Sequence, residues 1–408
     1  MSKEKRRVPK LRFPGFTEDW EPCEFKNLFK KNLEKNNGKF KSDKTISIAK
    51  MTFNELGNGA SEESLDNYKV LRIGDIAFEG HENKDFKFGR FVMNDIGNGI
   101  MSPRFTTLRP IELLELDFWK EYINYESIMQ KKLVHSTKKG TMMHELVVDE
   151  FLKQEILVPP EKEQQHIGCL LKFLSKVISL QQRKLEHLNL KKKALLQKLF
   201  PKEGARYPEL RFPGFTDAWE QRKLSEFVDK AVDNRGKTPP LDENGAHPLI
   251  EVAALGGVYP DYSKVEKYLS DDVFNTNLRA YIKKDDILFT TVGSIGLVSL
   301  MDSREEAAIA QNIVAFRAKE NFLPEYLYAL FSNEDNQYKA KRIAMVAVQP
   351  SIKVSQLVNV EYMISTNIEE QERIGVFFSS LQSLITLHQR KLEHLRIQKK
   401  SLLQQLFV

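Results

Sequence analysis

Two long stretches of the chain carry apolar residues at alternating steps of four and three positions. In the first they are Ile167, Leu171, Leu174, Ile178, Leu185, Leu188, Leu195 and Leu199; in the second they are Ile374, Phe378, Leu381, Ile385, Leu392, Leu395, Leu402 and Leu406. This spacing is the heptad pattern of helices that pair along an apolar face. Pro160 precedes the first stretch and Pro201 follows it, which predicts a helix over residues 161–200. Such a helix is roughly 60 Å long and needs a partner along much of its length.

Polar residues interrupt the two apolar faces at equivalent positions. They are Gln181 and Lys192 in the first stretch, and His388 and Lys399 in the second. Polar residues at such positions fix the register of the paired helices and the number of helices that associate, at some cost in stability. The simplest partner for each helix is therefore the other helix.

The two helical stretches are copies of each other, and the copying extends beyond them. The sequence QRKLEHL stands at residues 182–188 and again, 207 residues later, at 389–395. A second block, LRFPGFT, stands at residues 11–17 and again, 199 residues later, at 210–216. The chain is therefore a duplication, and the material between the two markers differs in length between the halves.

The segments between the repeated blocks, about 22–158 and 221–366, share little sequence. Both contain short β-like runs separated by Gly-rich and Asn-Gly turns, which is typical of α+β domains. The pattern predicts two equivalent pairs of elements: a turn leading into a strand at 71–78 and 282–292, and a strand at 102–108 and 310–316. It also predicts short helices near 113–132 and 324–341.

We therefore predict an α+β fold in which two domains of mixed α/β structure are separated by two long helices. The helices are expected to form an antiparallel coiled coil with pseudo-two-fold symmetry, because two similar halves tend to pack symmetrically. The predicted divisions are 1–158 for the first domain, 159–200 for the first helix, 201–366 for the second domain and 367–408 for the second helix.

The composition is that of an ordinary globular protein, with 41% hydrophobic and 29% charged residues. A net charge of +6 is compatible with nucleic acid but weak evidence alone. The two cysteines, Cys23 and Cys169, do not correspond under the repeat and favour a reducing compartment. With no signal peptide and no run of about 18 apolar residues, we expect a cytoplasmic protein without a membrane partner.

No motif ties together a catalytic set. The loop at residues 293–296 (GSIG) lacks the lysine of a P-loop and the third glycine of a dinucleotide fingerprint. Glu266 and Lys267 are adjacent, so on a strand they would point to opposite faces and could not share a metal ion. His187 and His394 lie on a helix face, where packing or solvation is commoner than a ligand role. We therefore expect no catalytic residues and no metal site.

Basic residues in predicted loops are the candidates for contact with DNA, because lysine and arginine neutralise phosphates and arginine can read base edges. They are Lys84, Lys87, Arg90, Arg104, Lys138 and Lys139 in the first half, and Arg235 and Lys237 with the hydroxyl of Thr238 in the second. As a set they indicate a nucleic acid, whereas any single one could be a solvated surface charge. The lysines at 191–193 and 399–400 either follow a duplex backbone or favour a helix C-terminus, and both interpretations stay open.

The duplicated LRFPGF block, the Glu-Gln pairs at 163–164 and 370–371, and the duplicated QRKLEHL helix together resemble the specificity (S) subunit of type I restriction-modification enzymes. The resemblance covers the whole chain. It implies two target recognition domains, each reading one half of a split, asymmetric site in double-stranded DNA. It also implies that the coiled coil sets the gap between the half-sites and that the chain itself is not an enzyme.

The resemblance further implies that the helices bind DNA methyltransferase (M) subunits, expected to be two, and that motor-nuclease (R) subunits complete the complex. S-adenosylmethionine, ATP and Mg²⁺ are then expected on the partner subunits only. The residues expected to form the coiled coil and its partner-binding surface are Leu174, Ile178, Leu185, Leu188, Leu381, Ile385, Leu392 and Leu395. Residues 235–239 and the sequence Gln349-Pro350-Ser351 match motifs that flank DNA-facing loops in the family, which adds Gln349 and Ser351 to the candidates. Gly140-Thr141 takes the place of Gln349-Pro350 in the first half.

Two other functions stand beside this one. The chain could be a self-contained DNA methyltransferase or nuclease, in which case the purified chain alone would bind S-adenosylmethionine tightly. It could also be a coiled-coil scaffold protein, in which case it would fail to retain duplex DNA at low salt with its partners present.

Overall fold

The structure is a computed structural model that describes residues 7–54, 57, 59–233, 238–278, 280–344 and 350–407. The chain divides into two compact units. Unit 1 consists of residues 1–180 and 393–408, and unit 2 consists of residues 181–392. Each unit therefore contains one variable segment together with part of each long helix.

The variable segment that leads into the first long helix contains short strands with short helices between some of them. In chain order they are β1 (Glu21–Glu24), α1 (Phe25–Leu28), β2 (Phe29–Lys31), β3 (Ile46–Ser47), β4 (Thr52–Phe53), α2 (Glu62–Leu65), β5 (Lys69–Leu71), β6 (Ile76–Glu79), β7 (Arg90–Met93), β8 (Gly99–Met101), β9 (Thr106–Pro110), α3 (Leu116–Tyr122), α4 (Glu126–Ser136), β10 (Thr137–Lys139), β11 (His144–Leu146), α5 (Val148–Leu152), β12 (Glu155–Val158) and the long helix α6 (Glu161–Leu199).

The second variable segment has a related but distinct order of elements. They are β13 (Glu220–Lys223), α7 (Leu224–Phe227), β14 (Val228–Asp233), β15 (His247–Ile250), β16 (Tyr268–Leu269), α8 (Asp271–Asn277), β17 (Ile287–Thr290), β18 (Val298–Leu300), β19 (Ala308–Ile309), β20 (Ile313–Ala318), α9 (Pro324–Ser332), α10 (Glu334–Arg342), α11 (Val354–Leu357), β21 (Glu361–Ile364) and the long helix α12 (Ile368–Leu406).

A four-stranded antiparallel sheet forms the framework of each unit. Its strand order is β2-β9-β6-β7 in unit 1 and β14-β20-β17-β18 in unit 2. The register is also shared, because Ile76 faces Leu108 in unit 1 and Ile287 faces Phe316 in unit 2. The predicted equivalence of these strands is therefore confirmed. Short helices also lie in both predicted stretches, α3 and α4 in unit 1 and α9 and α10 in unit 2.

A buried carboxylate fixes the turn that leads into the central strand of each sheet. Asp75 is 1% exposed and accepts hydrogen bonds from Arg109, whose Nη2 lies 2.8 Å away. Asp286 is fully buried and accepts two hydrogen bonds of 2.7 Å from Arg317. A buried charge is tolerated when it is paired in this way, so these arginines belong to the fold.

The repeated LRFPGFT block closes onto the first turn of each long helix. In unit 1 the guanidinium of Arg12 donates to both oxygens of Glu163, at 2.7 and 2.8 Å. The indole Nε1 of Trp20 donates to the same carboxylate at 3.2 Å. Glu163 is fully buried, and Trp20 lies in the hydrophobic core of the unit. The same contacts recur in unit 2 between Arg211, Trp219 and the fully buried Glu370.

A glycine in each long helix allows a second helix to cross closely over it. A Cβ on Gly168 would lie 2.8 Å from the backbone nitrogen of Phe118 at the start of α3. A Cβ on Gly375 would lie 2.8 Å from the backbone nitrogen of Tyr326 in α9. Both distances are shorter than a Cβ atom can approach another atom, so the close crossing requires glycine at both positions. Helix propensity alone would disfavour glycine there.

The two long helices pack against each other within each unit. In unit 2, Nε2 of Gln181 lies 2.5 Å from Nδ1 of His388, and Nζ of Lys192 donates to Gln382 at 2.6 Å. The later residue of α6, Lys192, thus contacts the earlier residue of α12, Gln382. The two helices therefore run antiparallel in unit 2. In unit 1, Nζ of Lys399 lies 2.9 Å from Oγ of Ser175.

The predicted coiled-coil residues lie on this paired face. Ile385 and Leu392 are buried, and the remaining six, Leu174, Ile178, Leu185, Leu188, Leu381 and Leu395, are partly buried. The polar interruptions seen in the sequence also lie in the seam, because they form the hydrogen bonds between the helices.

The two seam lysines correspond under the repeat but have different partners. Lys399 forms an ion pair with Glu121 at 2.6 Å. In unit 2 the corresponding Lys192 instead lies near α9, where its Nζ is 5.9 Å from the ring centre of Tyr328. Among the described residues Lys192 has no carboxylate partner, and burial lowers its pKa from 10.5 to about 8.

We expect Lys192→Met to raise the unfolding midpoint of the protein at about pH 7, because methionine removes a cation that unit 2 buries without a carboxylate. The pKa of Lys192 is about 8 in the folded protein and 10.5 is its usual value. Between about pH 8 and pH 10.5 this lysine is therefore protonated more fully in the unfolded chain than in the folded protein. Wild-type stability should therefore rise with pH across that window, and the advantage of the variant should shrink.

The matched variant Lys399→Met should have the opposite effect, since it leaves Glu121 and Ser175 without their partner. We expect it to lower the free energy of unfolding by about 2 kcal/mol. Urea denaturation followed by circular dichroism at about pH 7 and pH 10 measures both variants. Equal destabilisation by the two substitutions would contradict the assigned difference between the lysines.

Candidate nucleic-acid interface

Loops from several elements meet at one end of the four-stranded sheet of unit 1. Strand β6 ends where β7 and β9 begin, because both pair with it in an antiparallel manner. The backbone nitrogen of His144 donates to the carbonyl oxygen of Gly80 at 2.8 Å, which attaches the β10–β11 hairpin to the same end. The loops at 80–89 and 102–105 and the hairpin therefore lie together, and we call this region the loop end of unit 1.

All the unit 1 candidates for DNA contact lie at this loop end. Five are exposed and one, Arg90, is partly buried; the exposed ones are Lys84, Lys87, Arg104, Lys138 and Lys139. The fold thus brings together cations that are more than 50 residues apart in the sequence. A cluster of cations on loops of a rigid sheet is the arrangement that neutralises several phosphates at once.

Arg90 differs from the others because its guanidinium is already engaged. Its Nε donates to Glu79 at 2.7 Å and its Nη2 donates to the carbonyl oxygen of Ala49 at 3.1 Å. The guanidinium also lies 5.3 Å from the ring centre of Phe86. Contact with DNA would require Arg90 to leave these partners, so its first role is to hold β7 beside β6.

Arg104 and Lys138 line a common cleft of about 530 Å³ at the loop end. The other residues of the cleft include Thr141, Met142 and His144 of the hairpin. Lys138 forms an ion pair with Glu145 at 3.4 Å, with both side chains more than half exposed. Exposed pairs of this kind contribute little stability, so Lys138 can exchange its partner for a phosphate at small cost.

The corresponding end of unit 2 carries Ser351, one of the second-half candidates that the structure describes. Strand β17 ends where β20 begins, since Thr290 faces Ile313. Ser351 is partly buried and pairs with Val292, just beyond the end of β17. Thr238 is exposed and follows β14 in the chain. The remaining candidates, Arg235, Lys237 and Gln349, lie outside the described residues.

Backbone pairing gives a structural alignment of the two loop ends. The nitrogen of Ile352 donates to the carbonyl oxygen of Thr291 at 2.9 Å, as that of His144 donates to Gly80. His144 thus corresponds to Ile352, and Met142 corresponds to Pro350. The sequence comparison instead places Thr141 opposite Pro350, one residue earlier. A loop of a few residues has too little sequence pattern to fix the alignment.

Two features of the loop end were not among the sequence candidates. A Cβ on Gly80 would lie 1.9 Å from the carbonyl oxygen of His144, so only glycine lets the hairpin dock there. Met142 is 70% exposed at the hairpin tip. The sequence features that could have identified them are a glycine directly after a predicted strand, and two adjacent methionines, Met142 and Met143, close to two lysines.

The lysines of the long helices are not equivalent to one another in the structure. Lys192 and Lys399 are occupied in the seam, while Lys191 and Lys400 are exposed. Lys193 forms an ion pair with Glu334 of α10 at 2.9 Å. Lys191 and Lys400 can therefore follow a duplex backbone without losing any of these contacts.

Within the part of the chain that the structure describes, no three His, Cys, Asp or Glu side chains are grouped so that they could hold a metal ion. None of the helices in those ranges has an apolar stretch long enough to span a bilayer. Cys23 and Cys169 are both free thiols.

The fold and the loop ends define a class of proteins in which two related α+β units each hold part of two long antiparallel helices and present different loops. The family model of the type I restriction modification DNA specificity domain matches residues 17–190 and 216–396. The chain therefore belongs to this family, as its sequence resemblance implied.

Individual relatives agree with this assignment. The type I restriction enzyme MjaVIII specificity subunit of Methanocaldococcus jannaschii is 25% identical over 292 residues, covering 69% of this chain and 68% of that protein. The type I restriction-modification S subunit from M. genitalium is 14% identical, covers 98% of this chain and 99% of that chain, and has a TM-score of 0.58. A chain in a structure of a type I R-M system is 18% identical, covers 97% of each chain and has a TM-score of 0.53. The two structures share the fold with this chain.

Substitutions at the loop end should separate cations that contact DNA from those that support the fold. We expect Lys84→Ala to leave the unfolding midpoint unchanged, because Lys84 is exposed and has no ion-pair partner among the described residues. It should weaken binding of duplex DNA and lower the slope of log affinity against log salt by about one. Arg90→Ala should instead lower the unfolding midpoint, because it leaves Glu79 unpaired.

The control is Lys26→Ala, which removes an exposed lysine just before β2, at the opposite end of the sheet. Its salt slope should match that of the wild type. Filter binding of the assembled complex at several salt concentrations measures all three variants. A salt slope that falls equally for Lys26→Ala and Lys84→Ala would contradict the location of the interface.

Proposed function

We propose that this type I specificity subunit reads a bipartite, asymmetric site in double-stranded DNA, with one half-site for each unit and an unread gap of fixed length between them. The observation that carries the proposal is the combination of one shared framework with two unlike loop ends. The four-stranded sheets agree in strand order and register. The loops that follow their central strands differ in length, charge and secondary structure.

The difference between the loop ends is large enough to support two different half-sites. Unit 1 presents the β10–β11 hairpin with its lysines beside Arg104. In unit 2 the segment at 350–352 pairs directly with residues 291–293, and a separate sheet of order β16-β15-β19 packs beside the framework. Base readout depends on such loop side chains, so unlike loops favour unlike sequences.

The long helices carry a second apolar face that supports docking of methyltransferase subunits. In unit 1, Leu180 and Ile397 are 54% and 55% exposed. At the corresponding positions of unit 2, Leu387 and Leu190 are 62% and 67% exposed. We infer that these exposed apolar residues form part of a partner surface, since contiguous exposed apolar patches mark such surfaces. Because the pair occurs once in each unit, it supports two equivalent copies of the partner.

The docking surface proposed here differs from the residues expected from the sequence. The heptad residues face the other long helix, so the proposed partner meets exposed residues outside the seam, among them Leu180 and Leu387. The chain is a DNA specificity subunit and not an enzyme. We propose that S-adenosylmethionine, ATP and Mg²⁺ act on methyltransferase and motor-nuclease subunits, and that the complex works in the cytoplasm.

The recognition proposal predicts the pattern of methylation in cells that carry this chain with its partners. Methylated bases should fall in two half-sites of unlike sequence, separated by a constant number of unspecified base pairs. Replacing residues 137–147 by the corresponding segment of a relative should change one half-site only. Methylation mapping by single-molecule sequencing gives both results. A single contiguous site, or a change in both half-sites, would exclude one reader per unit.

The docking proposal predicts a change in stoichiometry. We expect Leu180→Glu to reduce the methyltransferase subunits that co-purify with the chain from two to one, because a charge in an apolar contact loses its hydration. Leu180→Glu combined with Leu387→Glu should remove both. Leu113→Glu, at a fully exposed position of unit 1, is the matched control. Native mass spectrometry counts the subunits, and full complexes with the double variant would rule out this face.

A further inference from the structure

The β10–β11 hairpin of unit 1 carries an exposed apolar side chain at its tip. Its strands pair from Thr137 with Leu146 to Lys139 with His144, which leaves residues 140–143 as the tip. Met142 in this tip is 70% exposed, and Nη2 of Arg104 lies 3.1 Å from its sulfur. A large apolar residue at a tip that is otherwise flanked by cations has no role in the core of unit 1.

The hairpin is held firmly at its base. The Oγ1 of Thr137 donates to the carbonyl oxygen of Leu133 at 2.8 Å, so the first strand continues directly from α4. Leu146 is 8% exposed and belongs to the hydrophobic core of the unit. His144 is hydrogen-bonded to Gly80 at the end of β6. The tip therefore keeps its position relative to the sheet, and little conformational entropy is lost when it binds.

The two-stranded form and the charge of the hairpin suit the major groove of DNA. A groove about 12 Å wide admits a two-stranded β-ribbon. Lys138, Lys139 and Arg104 flank the tip and are exposed. Cations at the sides of a ribbon can contact phosphates on the two groove edges while its tip faces the bases.

We propose that the hairpin enters the major groove and that Met142 is a specificity-determining residue, which contacts the C5-methyl group of a thymine in the half-site read by unit 1. Thymine methyl is the apolar group that base edges present in this groove. An exposed methionine gains most by burial against such a group, since its sulfur and methyl are soft and adaptable. The inference rests on the proposed reading of one half-site by each unit.

The contact should be confined to one half-site. Met142 corresponds to Pro350 in unit 2, where the neighbouring Ser351 pairs with Val292 along the sheet edge. Met142 and Pro350 differ in size and reach, so the two units do not share this contact.

The test uses the complex assembled with its methyltransferase subunits and a duplex whose half-sites are known from methylation mapping. Each thymine of the sites is replaced in turn by uracil, which removes only the methyl group. For the wild type we expect a loss in affinity of roughly fourfold at one thymine of the unit 1 half-site, the effect of burying one methyl-sized group. With Met142→Ala the same replacement should have no effect.

Two further variants distinguish the contact from general weakening. Met142→Leu keeps an apolar side chain and should retain the sensitivity to uracil. Lys139→Ala should weaken binding to all duplexes alike and lower the salt slope by about one, while the sensitivity to uracil persists. Circular dichroism before binding shows that each variant is folded.

The possible failures are separable. A wild type that is insensitive to uracil, or a Met142→Ala variant with unchanged sensitivity, would overturn the role of Met142 while two half-sites remain. Sensitivity in the unit 2 half-site would overturn the assignment of the hairpin to its half-site. A complex without any bipartite site would overturn the proposed function and this inference together.

Discussion

A buried carboxylate at the first turn of each long helix holds the rest of the structure in place. Glu163 and Glu370 are fully buried, yet each accepts hydrogen bonds from an arginine fork and a tryptophan indole. A carboxylate is also favourable at the positive end of a helix dipole. These contacts join three separate parts of the chain, namely the repeated block, the aromatic core and the helix. Removal of one partner would leave an unpaired charge in the core.

This constraint explains why the two halves agree where they do. Arg12 of the repeated block and Glu163 of the long helix are 151 residues apart in the sequence, but their side chains meet in space. Each therefore supplies buried hydrogen-bond partners to the other. The variable segments are limited only by the need to begin and end at this junction and to complete the four-stranded sheet. Loops beyond the sheet are free to differ, which is the property that a reader of variable DNA sequence needs.

Sequence patterns predicted the parts of the fold that depend on local spacing. The heptads and Pro160 gave α6 to within one residue, as 161–200 against Glu161–Leu199. The patterns could not predict contacts made by residues that are distant in the chain. Lys192 and Lys399 are indistinguishable within the repeated helices, and only the fold shows that one meets Tyr328 and the other Glu121.

The candidate site was predictable as a set and not as individual residues. Basic loop residues of unit 1 gather at one end of the sheet because antiparallel pairing brings the end of β6 beside the starts of β7 and β9. Composition cannot separate a cation that supports the fold from one that is free. Arg90 and Lys84 look alike in the sequence, but Arg90 is paired with Glu79 and only 23% exposed. Met142 was missed because an apolar residue in a sequence is expected in the core.

Electrostatics at the loop end favours reversible binding. The net charge of +6 is small for a chain of 408 residues, so attraction to DNA depends on where the cations lie. Several of them are unpaired or form weak, exposed ion pairs, such as Lys138 with Glu145. Such pairs cost little to break, and phosphates can replace the carboxylates without disturbing the sheet. The pairs that Arg12 and Arg317 form with fully buried carboxylates have no such freedom, and they keep the framework rigid while the exposed cations exchange partners.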